Sequence, residues 1–272
     1  IHGEITEYET EEELEEEEIK NFLGEIWEAM KESICFGLNA EGIIPGKLQL
    51  SKRAKSIYNN KIENEPTEVK RTRLLTAYAY AVSETNASGG EIVTAPTCGS
   101  CGVLPATLYY LQKEDKYTDE EIINALATAG IIGNIVKTNA SISGAECGCQ
   151  AEIGTACSMA AAACSQLRKL DIYKIEHAAE IAMEHHLGLT CDPIYGYVQI
   201  PCIERNAVAA IRAIDASNIS MLLDENQKIS FDLITETMYE TGKDLRSHYR
   251  ETSTGGLAKK YCRNKYYNTD ME

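Results

Sequence analysis

The segment that most constrains the fold is TACSMAAAAC, residues 155–164. Its small and apolar side chains cover every side of a helix, so such a helix has to be surrounded by other elements. Runs of alternating Val, Ile and Thr long enough to build a sheet are nearly absent from the chain. The sequence therefore predicts an all-α fold, a multi-helix bundle with this segment in the middle.

The spacing of apolar residues predicts further helices around this one. Thr118 and Glu121 form the Thr-x-x-Glu pattern of a capping box, which marks the start of a helix. The predicted helices are 19–36, 67–83, 106–112, 118–136, 151–170, 173–187, 203–223 and 231–241. The stretch 137–150 is rich in Ser, Asn and Gly and predicts a long polar loop without a helix. We expect the polar loops to gather at one end of the bundle.

The charge is unevenly distributed. The first 18 residues contain ten Glu and no Lys or Arg, which accounts for −10 of the net charge of −16. We therefore expect an acidic lead segment at 1–18, a solvated helix or tail, and a folded domain at 19–272. Such a run repels nucleic acid and anionic membranes, and no basic stripe opposes it. No stretch approaches the roughly 20 apolar residues of a membrane span and no signal peptide pattern is present, so a soluble, cytoplasmic protein is expected.

Ten cysteines point to metal binding or catalysis, because disulfides are rare in a reducing compartment. Three of them, Cys149, Cys191 and Cys202, stand in the segments ISGAECGCQ, GLTCDPIYG and VQIPCIERN, next to residues that bend or cap the backbone. Thiolates placed in this way can turn toward a shared centre. The alternative for each is the packing of a small hydrophobic residue. That second role is assigned to cysteines at helical positions among apolar residues, which are Cys35, Cys157 and Cys164.

Three thiolates from separate loops could hold a four-iron cluster and leave one iron open, and an open iron is a Lewis acid. Two other uses of the cysteines remain open. The close pairs Cys98 and Cys101, and Cys147 and Cys149, could bind zinc together or act in a non-catalytic, redox-sensing protein. A thioredoxin-like role for the first pair would need a βαβ setting, which the pattern does not predict.

Several long motifs resemble the iron-sulfur L-serine dehydratases, or L-serine ammonia-lyases, and specifically their α chain or α domain. The motifs occur in the order of that family and extend from about residue 25 to Cys262. They are GLNAEGIIPGKL (37–48), TAPTCGSCGVLPA (94–106), KTNASISGAECGCQAEIGTACSMAAAA (137–163), AAEIAMEHHLGLTCDPIYGYVQIPCIERNAVAA (178–210) and YRETSTGGLAKKYC (249–262).

The resemblance implies a [4Fe-4S] cluster with Cys149, Cys191 and Cys202 as ligands. Family ligands are separated by 41 and 10 residues, and these three cysteines have the same spacing, which selects Cys149 over Cys147. A further cysteine after the GGLA motif lies near the fourth iron in the family, as a tail that substrate displaces. Cys262 holds that position and is the candidate fourth ligand, although ten residues follow it here.

The resemblance also implies β-elimination of water from L-serine to give pyruvate and ammonia, without pyridoxal phosphate, in serine catabolism and gluconeogenesis. The same elimination on threonine or cysteine is an alternative. Asn139, Ser141 and Ser143 are candidates for binding the substrate carboxylate, or else they bond to loop backbone. The catalytic base is not identified.

Two further pairs of residues have both a functional and a structural interpretation. His185 and His186 could support the cluster from outside its ligand set, but capping of a helix C-terminus is favoured. Arg205 could pair with a carboxylate, or it could lie with Glu204 at a solvent-facing helix N-terminus.

The Ser-Ser-Ser-His-Thr motif of the family's β domain does not occur in this chain. We therefore expect a β domain or β chain as partner, besides L-serine and further copies in a homo-oligomer. The chain starts at Ile1 rather than Met, which favours a missing upstream portion.

Overall fold

The structure, a computed structural model, describes residues 11–224 and 226–263. Residues 1–10 of the acidic lead segment and the last nine residues lie outside the described residues. The helices are α1 (Glu11–Asn39), α2 (Ala54–Asn59), α3 (Thr67–Ala87), α4 (Val103–Asp115), α5 (Asp119–Asn139), α6 (Gly144–Cys147), α7 (Thr155–Leu167), α8 (Ile172–Glu184), α9 (Cys202–Leu222), α10 (Phe231–Asp244) and α11 (Gly256–Arg263).

The all-α prediction is confirmed. The described ranges contain isolated bridges at Ile43–Ser51 and Cys191–Arg250 but no β-strand. Helix α7 lies at the centre, where it packs against α4, α5, α8 and α9. Every residue from Thr155 to Ser165 is buried, as the apolar pattern of this segment predicts. None of the helices in the described part of the chain is long and apolar enough to cross a membrane.

The start of α5 was predicted from its capping side chains. Thr118 and Glu121 form the expected capping box, in which Thr118 Oγ1 accepts from the Glu121 amide at 3.2 Å and the Thr118 amide donates to Glu121 at 2.9 Å. Helix α1 continues without a break through residue 18, so the described part of the acidic lead segment is helical.

Several sequence predictions were wrong in detail, and two of them concern cysteine-bearing segments. The stretch 137–150 is not a loop throughout, because α5 extends to Asn139 and a single turn forms α6 before Gly148, whose φ of +76° ends it. A π-helical turn at Gln150–Gly154 then leads into α7. Cys157 and Cys164 are buried as expected, but Cys35 is exposed. The preceding residue, Ile34, faces the core, and Cys35 lies on the outer side of α1.

Candidate metal centre

The loops before α4, before α7 and before α9 meet at one end of the bundle. Thr97 Oγ1 donates a 2.7 Å hydrogen bond to Glu152 Oε1, which joins the first loop to the second. Asn206 joins the first loop to the first turn of α9, because its side-chain amide donates to the carbonyls of Gly99 and Cys202, both at 2.8 Å. These bonds bring the cysteine-bearing loops together, as the sequence predicts.

Cys149, Cys191 and Cys202 are all buried, with 3%, 4% and 8% of their surfaces exposed. The side chains of Cys149 and Cys191 are hydrogen-bonded to each other. Cys202 begins α9, close enough to Cys149 for the charge of one to act on the other. The three sulfurs therefore lie in one poorly solvated region.

This environment controls the protonation of the thiols. The hydrogen bond with Cys191 lowers the pKa of Cys149, and the Arg205 guanidinium acts in the same direction. The same bond and burial raise the pKa of Cys191. Burial, followed by the charge of Cys149, raises the pKa of Cys202 to about 12. Without a cation to compensate their charge, the three thiols cannot readily all be thiolates.

Glu152 is a residue of this centre that sequence reasoning missed. Its Oε2 atom lies 3.7 Å from Cys191 Sγ, and its Oε1 atom accepts the hydrogen bond from Thr97. Burial raises the pKa of this carboxyl group, while the bond from Thr97 lowers it. The signal that could have identified it is an isolated acidic residue in the otherwise apolar run AEIGTACSMA.

Two glycines allow this carboxylate to fit. A Cβ atom on Gly144 would lie 2.4 Å from Glu152 Oε2 and 3.0 Å from Cys191 Sγ. A Cβ atom on Gly99 would lie 2.9 Å from Glu152 Oε1. A methyl group on either glycine would therefore displace the Glu152 carboxylate from its present position.

Arg205 faces the centre rather than solvent. Its Nη1 atom donates to the Thr190 carbonyl at 2.6 Å, and the guanidinium lies beside Cys149. Glu204 is exposed in the first turn of α9, where a negative charge favours the helix dipole. Glu204 thus has the structural role, whereas Arg205 turns toward the cysteines and its pairing with a carboxylate stays a prediction.

The two histidines cap helix α8, as favoured by the sequence. The Nδ1 atoms of His185 and His186 lie 2.9 Å and 2.7 Å from the carbonyls of Ile181 and Ala182. Burial lowers the pKa of His186 to about 4, so this ring is neutral near pH 7. These bonds end α8 at Glu184, three residues before the predicted end.

The three candidate carboxylate-binding residues differ in their surroundings. Asn139 is exposed in a groove of about 520 Å³ that acidic residues of α10 line together with Lys243. Ser141 is buried, and its hydroxyl accepts from the Ser143 amide at 3.1 Å. Ser143 directly precedes Gly144, which contacts Glu152 and Cys191, and it is therefore nearest to the centre along the chain.

The two cysteines of each close pair have different surroundings. Cys147 packs against Gly242 of α10, whereas Cys149 turns toward Cys191. Cys101 is buried and Cys98 is exposed, and burial followed by the nearby Cys98 raises the pKa of Cys101. In residues 11–224 and 226–263, no three His, Cys, Asp or Glu side chains are arranged to hold a metal ion.

Cys262 is exposed on α11. Its thiol is hydrogen-bonded to the Tyr195 side chain, and the ring of the preceding Tyr261 meets the Tyr195 ring edge-on at 6.1 Å. The loop that carries Cys191 thus also contacts the helix that carries Cys262.

Fold and site together define an all-α protein with buried cysteines supplied by separate loops. The family model for the serine dehydratase alpha chain matches residues 1–258, and the chain belongs to this family. It is similar to the L-serine dehydratase of Haemophilus influenzae, with 48% identity over 250 residues, 90% of this chain and 54% of the relative. It is also similar to L-serine dehydratase 2 of Escherichia coli (47% over 251 residues, 90% and 54%) and the L-serine dehydratase of Helicobacter pylori (46% over 257 residues, 90% and 56%). The chain spans about half the length of the curated relatives it matches.

Proposed function

We propose that this chain is the α part of an iron-sulfur L-serine dehydratase, and that Cys149, Cys191 and Cys202 hold a [4Fe-4S] cluster. The observation that carries the proposal is the burial of these three thiols in one region, to which separate segments of the chain bring them, with Cys149 and Cys191 in contact. Membership in the family and the likeness to L-serine dehydratases support the same assignment.

The residues present fit such a cluster. Thiolates are its usual ligands, and a cluster of several irons does not require its ligands to converge on one point as a single zinc ion does. The three cysteines are neighbours, but no group of described residues is arranged to hold a single metal ion. A cluster of several irons is compatible with both observations. The raised pKa of Cys202 fits as well, because bound iron would compensate the charge that burial opposes.

The proposed reaction is the β-elimination of water from L-serine, followed by hydrolysis of aminoacrylate to pyruvate and ammonia. A cluster with three protein ligands supplies an iron that can act as a Lewis acid toward the departing hydroxide, so no pyridoxal phosphate is required. Glu152, Thr97 and Asn206 fix the positions of the loops through their hydrogen bonds. Buried surroundings strengthen every charge interaction in such a site.

Binding of the substrate carboxylate is proposed for Asn139, Ser141 and Ser143. Ser143 has the best support, because the next residue, Gly144, lies against Glu152 and Cys191.

Cys262 is proposed as the candidate fourth ligand. Its support is the contact of α11 with Tyr195, four residues after Cys191.

The proposed partners are L-serine, a β domain or β chain, and further copies of the chain in a homo-oligomer. The β part is supported by coverage, because the curated relatives are nearly twice as long as the region matched here. A cytoplasmic role in serine catabolism follows from the same proposal.

The test is anaerobic reconstitution of the chain, co-produced with its β part, and an assay of 2-oxo acid release from L-serine, L-threonine and L-cysteine. Cys202→Ser should lose the bound cluster, measured as iron and acid-labile sulfide per chain, together with all turnover. Cys98→Ser is the matched control and should retain both, because Cys98 is exposed. If Cys202→Ser kept its metal and its turnover while Cys98→Ser lost both, the result would favour a metal site at the close cysteine pairs.

A further inference from the structure

One face of helix α9 carries a row of four residues at the surface, Val208, Arg212, Asp215 and Ile219, which we call the α9 ridge. They are spaced by four, three and four positions, which places them on the same side of the helix. Val208 has 54% and Ile219 has 44% of its surface exposed. Arg212 is exposed as well, and so is 44% of the Asp215 side chain. The ridge therefore presents an apolar side chain at each end and two opposite charges between them.

A groove of about 390 Å³ runs beside the α9 ridge, between α9 and α8. Ile181 and Ala182 of α8 and Ile211 and Ala216 of α9 give it an apolar lining next to the ridge residues. When two helices pack, the side-chain ridge of one lies in a groove of the other. The ridge and the groove together thus have the shape that receives a second helix.

The charges of the α9 ridge are only partly compensated within the chain. Asp215 Oδ1 accepts a 2.8 Å hydrogen bond from Arg71 Nη2 of α3. Arg212 forms no ion pair with any residue in the ranges 11–224 and 226–263. A second helix with a carboxylate opposite Arg212 would therefore add an ion pair that the single chain lacks.

The α9 ridge is complementary to itself. One point along the helix lies midway between Val208 and Ile219, and the same point lies midway between Arg212 and Asp215. In a two-fold symmetric dimer every contact between two different residues occurs twice. A second α9 placed antiparallel about this point would set Val208 against the partner's Ile219. It would also set Arg212 against the partner's Asp215, so that both ends match apolar groups and the centre matches opposite charges.

We propose that the α9 ridge and the groove beside it form a two-fold interface between two copies of this chain, with the two α9 helices antiparallel. The apolar ends supply buried area, and the central charges fix the register of the helices. The inference rests on the proposed function only for the presence of further copies of the chain. None of the cysteines takes part in this interface.

The experiment measures the dimer dissociation constant of the full chain by sedimentation equilibrium, alone and co-produced with its β part. Arg212→Glu sets carboxylates against each other at the centre, and Asp215→Lys sets cations against each other. Each variant alone should weaken the dimer at least about tenfold, because like charges then face each other twice. An equimolar mixture of the two variants should restore the wild-type constant, because each chain then supplies the charge that its partner needs. Native mass spectrometry identifies the mixed dimer.

A second pair of variants tests the register without removing the bond between Asp215 and Arg71. Val208→Lys and Ile219→Glu change exposed side chains, so the single chain should fold normally. Each variant alone should weaken the dimer, and their mixture should form mixed dimers, because the introduced lysine then faces the introduced glutamate. The matched control is Ile131→Lys on α5, which changes an isoleucine that is 61% exposed outside the ridge. It should leave the dimer dissociation constant unchanged.

Any of three results would overturn the proposal. One is a wild-type chain that stays monomeric at high micromolar concentration, both alone and with its β part. Another is a dimer whose dissociation constant is unchanged in Arg212→Glu and in Val208→Lys. The third is the failure of both mixtures to restore dimers, including the case in which the ridge variants weaken binding of the β part instead. Iron and sulfide are measured separately on the same chains, so failure of this interface and failure of the proposed cluster are distinguishable.

Discussion

At the scale of single residues, Gly144 is the clearest test of how tightly the candidate centre is packed. An alanine here would place its Cβ 2.4 Å from Glu152 Oε2. The carboxylate cannot simply move away, because it is bonded to Thr97 and lies against Gly99 on its other side. We expect Gly144→Ala to lower the free energy of unfolding by about 1–3 kcal/mol, the usual cost of overpacking. Denaturant unfolding measures this.

The control is Gly130→Ala. Gly130 lies in the interior of α5, and nothing stands within 4 Å of an added Cβ. Alanine is about 1 kcal/mol better than glycine in a helix interior, so this variant should be at least as stable as the wild type. If Gly144→Ala were as stable as Gly130→Ala, the close packing around Glu152 would be contradicted.

Single residues also show what the sequence could and could not predict. The burial of Cys157 and Cys164 was predictable because every side of α7 is apolar. Cys35 was wrongly assigned to the core. The spacing of apolar residues shows which face of a helix is buried, but it gives a poor estimate of how wide the buried face is. Glu152 was missed, because its partners Thr97 and Cys191 are distant in sequence and only the fold brings them together.

At the scale of elements, α8 carries a pH-sensitive group. Glu180 has 3% of its side chain exposed and lies one turn from both Glu176 and Glu184. Burial, and then the hydrogen bond and charge of Glu184, raise the pKa of Glu180 to about 7 from its usual 4.5. The folded state therefore prefers the protonated carboxyl. This contribution to stability is fully present below about pH 4.5 and is lost as the pH rises through 7.

Glu180→Gln should remove this part of the pH dependence, because the amide stays neutral. We expect its melting temperature to match that of the wild type near pH 4.5 and to exceed it by a few degrees at pH 8. Thermal unfolding at the two pH values measures the difference. Glu236→Gln, on an exposed position of α10, is the control and should keep the wild-type slope. A Glu180→Gln variant with that same slope would show that Glu180 does not titrate in this range.

The capped start of α5 could be predicted from sequence, but the turns between α5 and α7 could not. Thr118 and Glu121 are close in sequence, so their capping box is visible without the fold. The turn of α6 and the π-helical turn after it depend on contacts with distant residues, because Gly148 approaches the Leu189 carbonyl and the Gln150 side chain bonds to Met238. Local composition alone predicts a loop there.

At the scale of the whole molecule, the central position of α7 follows from its apolar sequence, and the meeting of the loops follows from α7 and α9. Both helices begin at this end of the bundle, one shortly after Cys149 and the other at Cys202. The sequence therefore predicted the fold class and the gathering of cysteine-bearing loops. Which cysteines face one another was suggested by family resemblance, because spacing alone left the close pairs as an alternative.

The most direct test of the proposed centre is the amount of iron and acid-labile sulfide bound per chain after anaerobic reconstitution. The proposal predicts about four of each in the wild type, retained in Cys98→Ser and lost in Cys191→Ser. Zinc in place of iron, no bound metal, or full retention of iron and sulfide in Cys191→Ser would contradict it.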